Sequence, residues 1–338
     1  MRKILVTGGA GFIGSNFVHY MLRKYDDVML MVLDALTYAG NLDNLKPIWD
    51  EERFMFLHGD IRDNALVTDL MRNAEYVVHF AAETHVDRSI HDAGVFIETD
   101  VFGTFILLEA ARNADIKRFV HISTDEVYGE APGRPSLETD ALMPKSPYAA
   151  SKAGADRLAF SYFTTYGLPV VISRCSNNYG PYQYPEKLIP LFVTNALENK
   201  PLPVYGTGKS SRDWIYVLDH CRAIDALLSA EAVEGEAFNI GAANELDVLQ
   251  ITDIILTQLK KPNSLIKHVD DRLGHVVRHA VNTNKIKSAI GWEPQYDFAE
   301  NMESTIKWYI ENEDWWRKVK EKGEEYKAWV DRQYRGLD

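Results

Sequence analysis

The 338-residue chain carries 49 acidic and 37 basic residues, a net charge of −12, with 46% hydrophobic residues. That length and apolar content suit one large α/β unit or two lobes sharing a cleft. The acidic balance argues against a nucleic-acid partner, so an anionic small molecule would need a local basic pocket. Cys175 and Cys221 cannot form a disulfide framework and sit at no metal-ligand spacing; they read as buried thiols of a reducing cytosol, with no metal expected. Met1-Arg2-Lys3 runs straight into an apolar strand rather than a signal-peptide run, and no apolar stretch reaches bilayer-spanning length. A cytoplasmic chain without a membrane partner is expected.

In chain order, residues 4–7, 28–34, 54–58, 76–80, 119–123 and 170–174 are short runs rich in Val, Ile or Phe, and predict buried strands. Between them, 16–24, 65–73, 101–113 and 147–166 predict helices. This alternation implies a doubly wound parallel sheet with helices on both faces, a Rossmann-type α/β fold. The pattern then changes. Residues 177–190 hold three prolines, three tyrosines and two asparagines and predict an irregular, site-forming segment. Helices are expected at 188–199 and 217–229, a turn at 205–208, and a smaller mixed α/β region beyond about 245. The charged, tryptophan-rich stretch 311–338 predicts an amphipathic surface helix. With no Gly/Ser linker, two interleaved units are expected: 1–174 with 218–243, and 175–217 with 244–338.

Gly8-Gly9-Ala10-Gly11-Phe12-Ile13-Gly14 follows the first strand and opens the first helix. Glycines there let the backbone approach a pyrophosphate, and the helix start offers it free amides. Asp34 ends the second strand about twenty residues on, where an acid bonds both ribose hydroxyls and disfavours an extra 2′-phosphate. Gly59-Asp60-Ile61 follows the third strand, where an adenine would lie. Together these predict an NAD site rather than an NADP site.

Ser123-Thr124-Asp125-Glu126-Val127-Tyr128-Gly129 follows the fifth strand, and Tyr148-Ala149-Ala150-Ser151-Lys152 opens a later helix. Tyr148 and Lys152 lie one helical turn apart and share a face. Such spacings are common on helices, but behind a dinucleotide turn the pair predicts hydride chemistry. A nearby ammonium is expected to lower the phenol pKa and let it take a proton from a sugar hydroxyl. Asp125 and Glu126 add a second acid/base pair. Repulsion and burial would raise at least one of their pKa values, leaving one as acid and the other as base. A sugar oxidised at carbon 4 has an acidified proton at carbon 5, so this pair points to elimination of water.

At these residues the chain resembles the extended short-chain dehydrogenase/reductases and, within them, the dTDP-glucose 4,6-dehydratases. Asp34-Ala35-Leu36-Thr37, Ala81-Ala82-Glu83-Thr84-His85, Arg174-Cys175-Ser176-Asn177-Asn178 and Arg212-Asp213-Trp214 extend the likeness over nearly the whole chain. The resemblance implies that Tyr148 is the base of the oxidation, assisted by Lys152 and Thr124. It makes Asp125 the acid for the departing hydroxyl and Glu126 the base at carbon 5, with hydride passing from carbon 4 through NAD to carbon 6. Gly8, Gly11, Phe12, Ile13, Gly14, Asp34, Ala35, Leu36, Thr37, Asp60, Ile61, Ala81, Ala82, Glu83, Thr84, Thr99, Ser123 and Asn177, with Tyr148 and Lys152, match positions around NAD. His85, Thr124, Asn178, Lys187, Leu188, Pro203, Tyr205, Arg212, Asn244, Arg272 and His275 match positions around the nucleotide sugar. Leu273, Val276 and His279 depart from the family pattern in a wall where the nucleotide is expected. A homodimer through a four-helix bundle of 101–113 and 147–166 is also implied, and the first helix carries more apolar residues than one core-facing stripe needs. The rival readings are a sugar-nucleotide 4-epimerase or UDP-glucuronate decarboxylase of the same fold, a 4,6-dehydratase that uses another nucleotide sugar, and a redox-sensing or scaffolding protein that binds NAD without turnover; an epimerase does not need the Asp125–Glu126 pair.

Overall fold

The computed structural model describes residues 1–322 and 324–334. Its strands are β1 (Arg2–Thr7), β2 (Val28–Asp34), β3 (Phe54–His58), β4 (Tyr76–His79), β5 (Arg118–Thr124), β6 (Val170–Cys175), β7 (Asn177–Tyr179), β8 (Leu202–Tyr205), β9 (Ser211–Tyr216), β10 (Ala237–Ile240), β11 (Glu245–Asp247), β12 (Ile266–Val269) and β13 (Arg278–His279). Seven of them form one parallel sheet in the order β10-β6-β5-β4-β1-β2-β3. The chain winds outward from β1 in both directions, so a crevice opens beyond the carboxyl ends of the strands where the winding reverses. Asp34, Thr124 and Cys175 end their strands on that side. Beside it, β9 pairs with β11, β13 and β7, and β8 pairs with β12.

The helices are α1 (Phe12–Lys24), α2 (Asn64–Arg72), α3 (Val86–His91), α4 (Ala93–Phe96), α5 (Thr104–Arg112), α6 (Pro147–Tyr166), α7 (Leu188–Leu197), α8 (Val217–Ser229), α9 (Val248–Gln258), α10 (Asn284–Ile290), α11 (Phe298–Glu311), α12 (Glu313–Lys322) and α13 (Glu324–Gln333). Both sheet faces are covered. Ile4, Val6, Val32 and Val120 join Phe17 and Ile224 on one side. Leu5, Leu33, Val77 and Phe119 join Leu70 and Leu107 on the other. Neighbours along one strand thus feed opposite cores, which is why the strands read as unbroken apolar runs. Among the described residues no helix is long and apolar enough to cross a membrane.

Two segments differ from the sequence reading. The helix expected at 101–113 is instead a π-helical segment, Ile97–Gly103, running into α5. Asp100 within it is buried and accepts hydrogen bonds from the Glu83 amide (2.8 Å) and the Ser151 hydroxyl (2.6 Å). The carboxyl-terminal stretch is not one surface helix. It spans α12, α13 and the end of α11; residue 323 and residues 335–338 lie outside the described residues. Trp316 is fully buried, and Trp315 packs edge-on against Trp308, which meets Tyr182 in the same way. Burying these rings stabilises more than leaving them on one exposed stripe.

Candidate active site

The crevice is a cleft of about 550 Å³ reaching from the glycine turn to Arg272 and Tyr334. Its first wall is the turn before α1. Gly8 takes φ +71°, and a Cβ there would lie 2.6 Å from the Ala81 amide nitrogen. A Cβ on Gly14 would lie 2.3 Å from the Gly8 carbonyl oxygen. No side chain caps the first turn of α1, so its amides are left for a ligand. Asp34, buried at the end of β2, accepts from the Ala10 amide at 2.9 Å and the Leu36 amide at 2.8 Å. Burial pushes its carboxyl above the ordinary value, opposed by those amides. Asp60 is clamped by the Arg62 guanidinium at 2.7 Å.

At the cleft floor, α6 presents Tyr148 and Lys152 one turn apart. Lys152 is buried, and its Nζ donates to the Ile122 carbonyl at 2.7 Å. Burial lowers its pKa, with Asp100 opposing. Asp100 is pushed up to about 6 by burial, with Lys152 opposing. Burial, then the Glu126 carboxylate, pushes the Tyr148 phenol well above its ordinary value, opposed by a hydrogen bond to Thr124. The expectation that Lys152 lowers the phenol pKa is therefore not met by the protein groups alone. Desolvation dominates, with Glu126 adding to it, while the Lys152 ammonium gives one of its three N–H donors to the Ile122 carbonyl.

Thr124 ends β5 and caps the 3-10 turn Asp125–Tyr128, its Oγ1 accepting from the Glu126 amide at 3.2 Å. The Thr124 hydroxyl also donates to Asp125 Oδ1 at 3.3 Å, while Oδ2 is buried without a partner. Burial first, then Glu126, raises the Asp125 pKa well above the carboxylate range; Arg212 opposes. Burial thus favours the protonated form of Asp125 beside the more exposed Glu126. The far end of the turn is pinned from below. Arg174 is fully buried, donates to both oxygens of Asp156 (2.8 and 2.9 Å), and donates to the Tyr128 hydroxyl at 2.7 Å. That hydroxyl in turn donates to Asn239 at 2.8 Å.

The other end of the cleft is basic. Lys187 donates to the Thr84 hydroxyl at 3.1 Å. Arg212 is buried and spends its NH1 and NH2 on the Ser211 and Val276 carbonyls. Burial and the nearby Arg272 lower the Arg212 pKa to about 10, a repulsion that a bound anion would relieve. Arg272 lies 3.5 Å from Asp87, and its buried Nε has no hydrogen-bond partner.

The cleft gathers every residue named above for catalysis, NAD and nucleotide sugar except Leu36 and Asn244. Leu36 (φ +52°) packs its side chain against the core and offers its amide to Asp34. Asn244 sits in the turn before β11, with its amide donating to the Trp214 carbonyl at 3.3 Å and its backbone N–H to Asp213 at 2.9 Å. None of the family-departing residues Leu273, Val276 and His279 lines the cleft; Leu273 is 76% exposed. Sequence reading gave no role to Arg62, Asp87, Asp100, Glu186 or Tyr334. Asp87 is a buried partner for Arg272, far off in sequence, and such a pair leaves no spacing signal.

The model of the GDP-mannose 4,6 dehydratase family matches residues 5–305. The chain belongs to that family. It is 48% identical over 322 residues to dTDP-glucose 4,6-dehydratase of Streptomyces niveus, covering 94% of this chain and 96% of that one. It is 50% identical over 311 residues to the low-salt glycan biosynthesis protein Agl12 of Haloferax volcanii, covering 92% and 99%. The crystal structure of DesIV, a dTDP-glucose 4,6-dehydratase from Streptomyces venezuelae with NAD bound, superposes at a TM-score of 0.92 with 50% identity, covering 94% and 99%.

Proposed function

We propose that this member of the GDP-mannose 4,6 dehydratase family is an NAD-dependent enzyme that converts dTDP-glucose to dTDP-4-keto-6-deoxyglucose. The observation that carries this reading is the buried Asp125 next to Glu126, in one cleft with Tyr148 and Lys152. A 4-epimerase needs the tyrosine and lysine but not that pair, and a scaffold needs neither. The product serves as a deoxysugar precursor.

The glycine turn fits a dinucleotide: a close backbone approach, an uncapped helix start and Asp34 at the strand end. Gly11 to Gly14 would hold the pyrophosphate, Asp34 the ribose hydroxyls, and Asp60 and Ile61 the adenine. Bound NAD supplies the acceptor that takes hydride from carbon 4 and gives it back at carbon 6. Tyr148 takes the proton of the carbon 4 hydroxyl as phenolate, the form that the Thr124 hydrogen bond favours against burial, with Lys152 anchored below. Glu126 removes the carbon 5 proton, Asp125 protonates the carbon 6 hydroxyl, and water leaves. Glu126 then returns a proton to carbon 5, so the net change is loss of one water. Lys187, Arg212 and Arg272 hold the diphosphate.

Residues 1–174 with 218–243 serve as the dinucleotide part, and 175–217 with 244–338 as the nucleotide-sugar part. A cytoplasmic homodimer completes the proposal. Ile97, Phe102, Phe105, Phe160 and Tyr166 stay exposed on the π segment, α5 and α6, with Phe102 and Phe105 stacked at 5.9 Å. Ile106, Leu107 and Leu108 are buried in the subunit's own core, so the dimer face is the narrower phenylalanine side. Incubation with dTDP-, UDP-, GDP- and CDP-glucose tests the reading. Loss of one water from dTDP-glucose ahead of the others is expected, and no dehydration of any of them refutes it.

A further inference from the structure

The sequence marks the aromatic carboxyl-terminal stretch without giving it a task, and the reaction uses none of it. In the fold, α13 returns to the basic end of the cleft. Trp329 is buried and meets His85 edge-on at 5.2 Å. Tyr334 lines the cleft, packs against Trp329 at 5.4 Å and faces Tyr205 at 6.2 Å. Gln333 Nε2 donates to the Tyr205 hydroxyl at 2.7 Å. Tyr334 bonds the same oxygen. A phenol oxygen that accepts from these neighbours keeps one proton to give, and it gives it to Asp87 Oδ2 at 3.1 Å. The other Asp87 oxygen, buried and without a hydrogen-bond partner, faces the Arg272 guanidinium as an ion pair at 3.5 Å. Arg272 thereby keeps its buried, unpartnered Nε for a ligand.

We propose that Gln333 is a positioning residue for substrate binding, acting through Tyr205 and Asp87 to aim Arg272 at the diphosphate of the nucleotide sugar. This rests on the reading of the basic end as the diphosphate site. The direction of the hydrogen bonds carries the argument. Without the Gln333 donor, the Tyr205 hydroxyl is steadied by Tyr334 alone, so its bond to Asp87 is less fixed and the placement of Asp87 under Arg272 loosens. The reacting groups at Asp125, Glu126 and Tyr148 are not in this chain of contacts. The loss therefore falls on binding of the phosphates rather than on the chemical steps.

The test uses the full chain with Gln333→Leu, and with Tyr205→Phe as a second variant that keeps the ring. Calorimetry measures binding of dTDP and of thymidine, which has the base but no phosphate. Expected is roughly a five- to tenfold loss for dTDP in either variant, with thymidine unchanged within twofold for Gln333→Leu. The KM for dTDP-glucose rises by a similar factor and kcat falls much less. In an Arg272→Ala background the added Gln333→Leu change has no further effect, because the residue it acts through is gone. Equal losses for dTDP and thymidine would make Gln333 mere packing of the wall and overturn the proposal. So would a Gln333→Leu effect that persists without Arg272, or dTDP binding equal to the parent's. A parent that binds thymidine and dTDP equally, or neither, overturns the diphosphate reading and this proposal with it.

Discussion

Asp125→Asn isolates the proton that the account assigns to the leaving hydroxyl. The substitution keeps side-chain volume and the acceptor facing Thr124 at 3.3 Å, but removes the transferable proton. A positioned general acid is worth about 10²–10⁴-fold in rate, or about 3–5 kcal/mol of barrier. Dehydration, followed by the ultraviolet absorbance of the 4-keto product in alkali, should fall by that factor. Stability should not fall with it. The new amide nitrogen, if it takes the place of the unpartnered Oδ2, leaves one buried donor unsatisfied at a cost of about 1–3 kcal/mol. Above the ordinary carboxylate pKa, removal of the cost of keeping Asp125 protonated offsets this. The offset depends on pH in a fixed sense. A carboxyl whose folded pKa is raised holds its proton more tightly in the folded chain than in the unfolded one. Its contribution to stability is full below the ordinary carboxylate value of about 4, and is lost as pH rises towards the folded value. Each unit of pKa difference is worth about 1.4 kcal/mol. Denaturant melts from pH 4 upward should therefore move steadily in favour of the variant. Turnover within about fivefold of the parent, or a stability gap that does not change with pH, would refute the role given to Asp125.

Tyr148→Phe should abolish oxidation at carbon 4 while cofactor affinity, measured by calorimetry with NAD, stays within a few-fold, since only one oxygen is removed. Arg174→Met should cost about 1.5–3 kcal/mol in denaturant melts, because it removes the buried two-point pair to Asp156 and leaves that carboxylate to Arg157 alone. It should also slow dehydration, since Tyr128 then loses the donor that pins the Asp125 turn. Phe102→Glu with Phe105→Glu should convert a dimer to monomers by light scattering with the fold retained, both rings being well exposed in the single chain.

The sheet was legible because strands buried on both faces become continuous apolar runs, so the segment at 28–34 coincides with β2 to the residue; β3 keeps the bounds 54–58 but is an edge strand with no fully buried residue, not the buried strand expected. The cleft was legible for a related reason. Its groups hang from strand ends and helix starts, which turn chemistry marks: Gly8 to Gly14 for α1, Thr124 for the Asp125 turn, and Ser146 for α6, which caps it at 3.1 Å. What escaped depends on contacts distant in sequence. The π segment at 97–103 looks like any helix until Asp100 meets Ser151, fifty-one residues on. Asn244 fits the motif by position, yet the turn before β11 spends its amide on Trp214. Local spacing suggested that Lys152 would lower the Tyr148 pKa. The net field of burial and Glu126 acts the other way, and only packing reveals it.

The most direct test of the central claim follows the label through one reaction. dTDP-glucose carrying deuterium at carbon 4 is incubated with the purified chain and NAD in deuterium oxide, and the product is examined by mass spectrometry and NMR. Expected is a product that has lost one water, with the carbon 4 deuterium moved to carbon 6 and a solvent deuteron at carbon 5. In the Glu126→Gln variant the carbon 5 position should cease to exchange. A product of unchanged mass that keeps its label at carbon 4, with only the configuration there inverted, would contradict it and make the chain an epimerase.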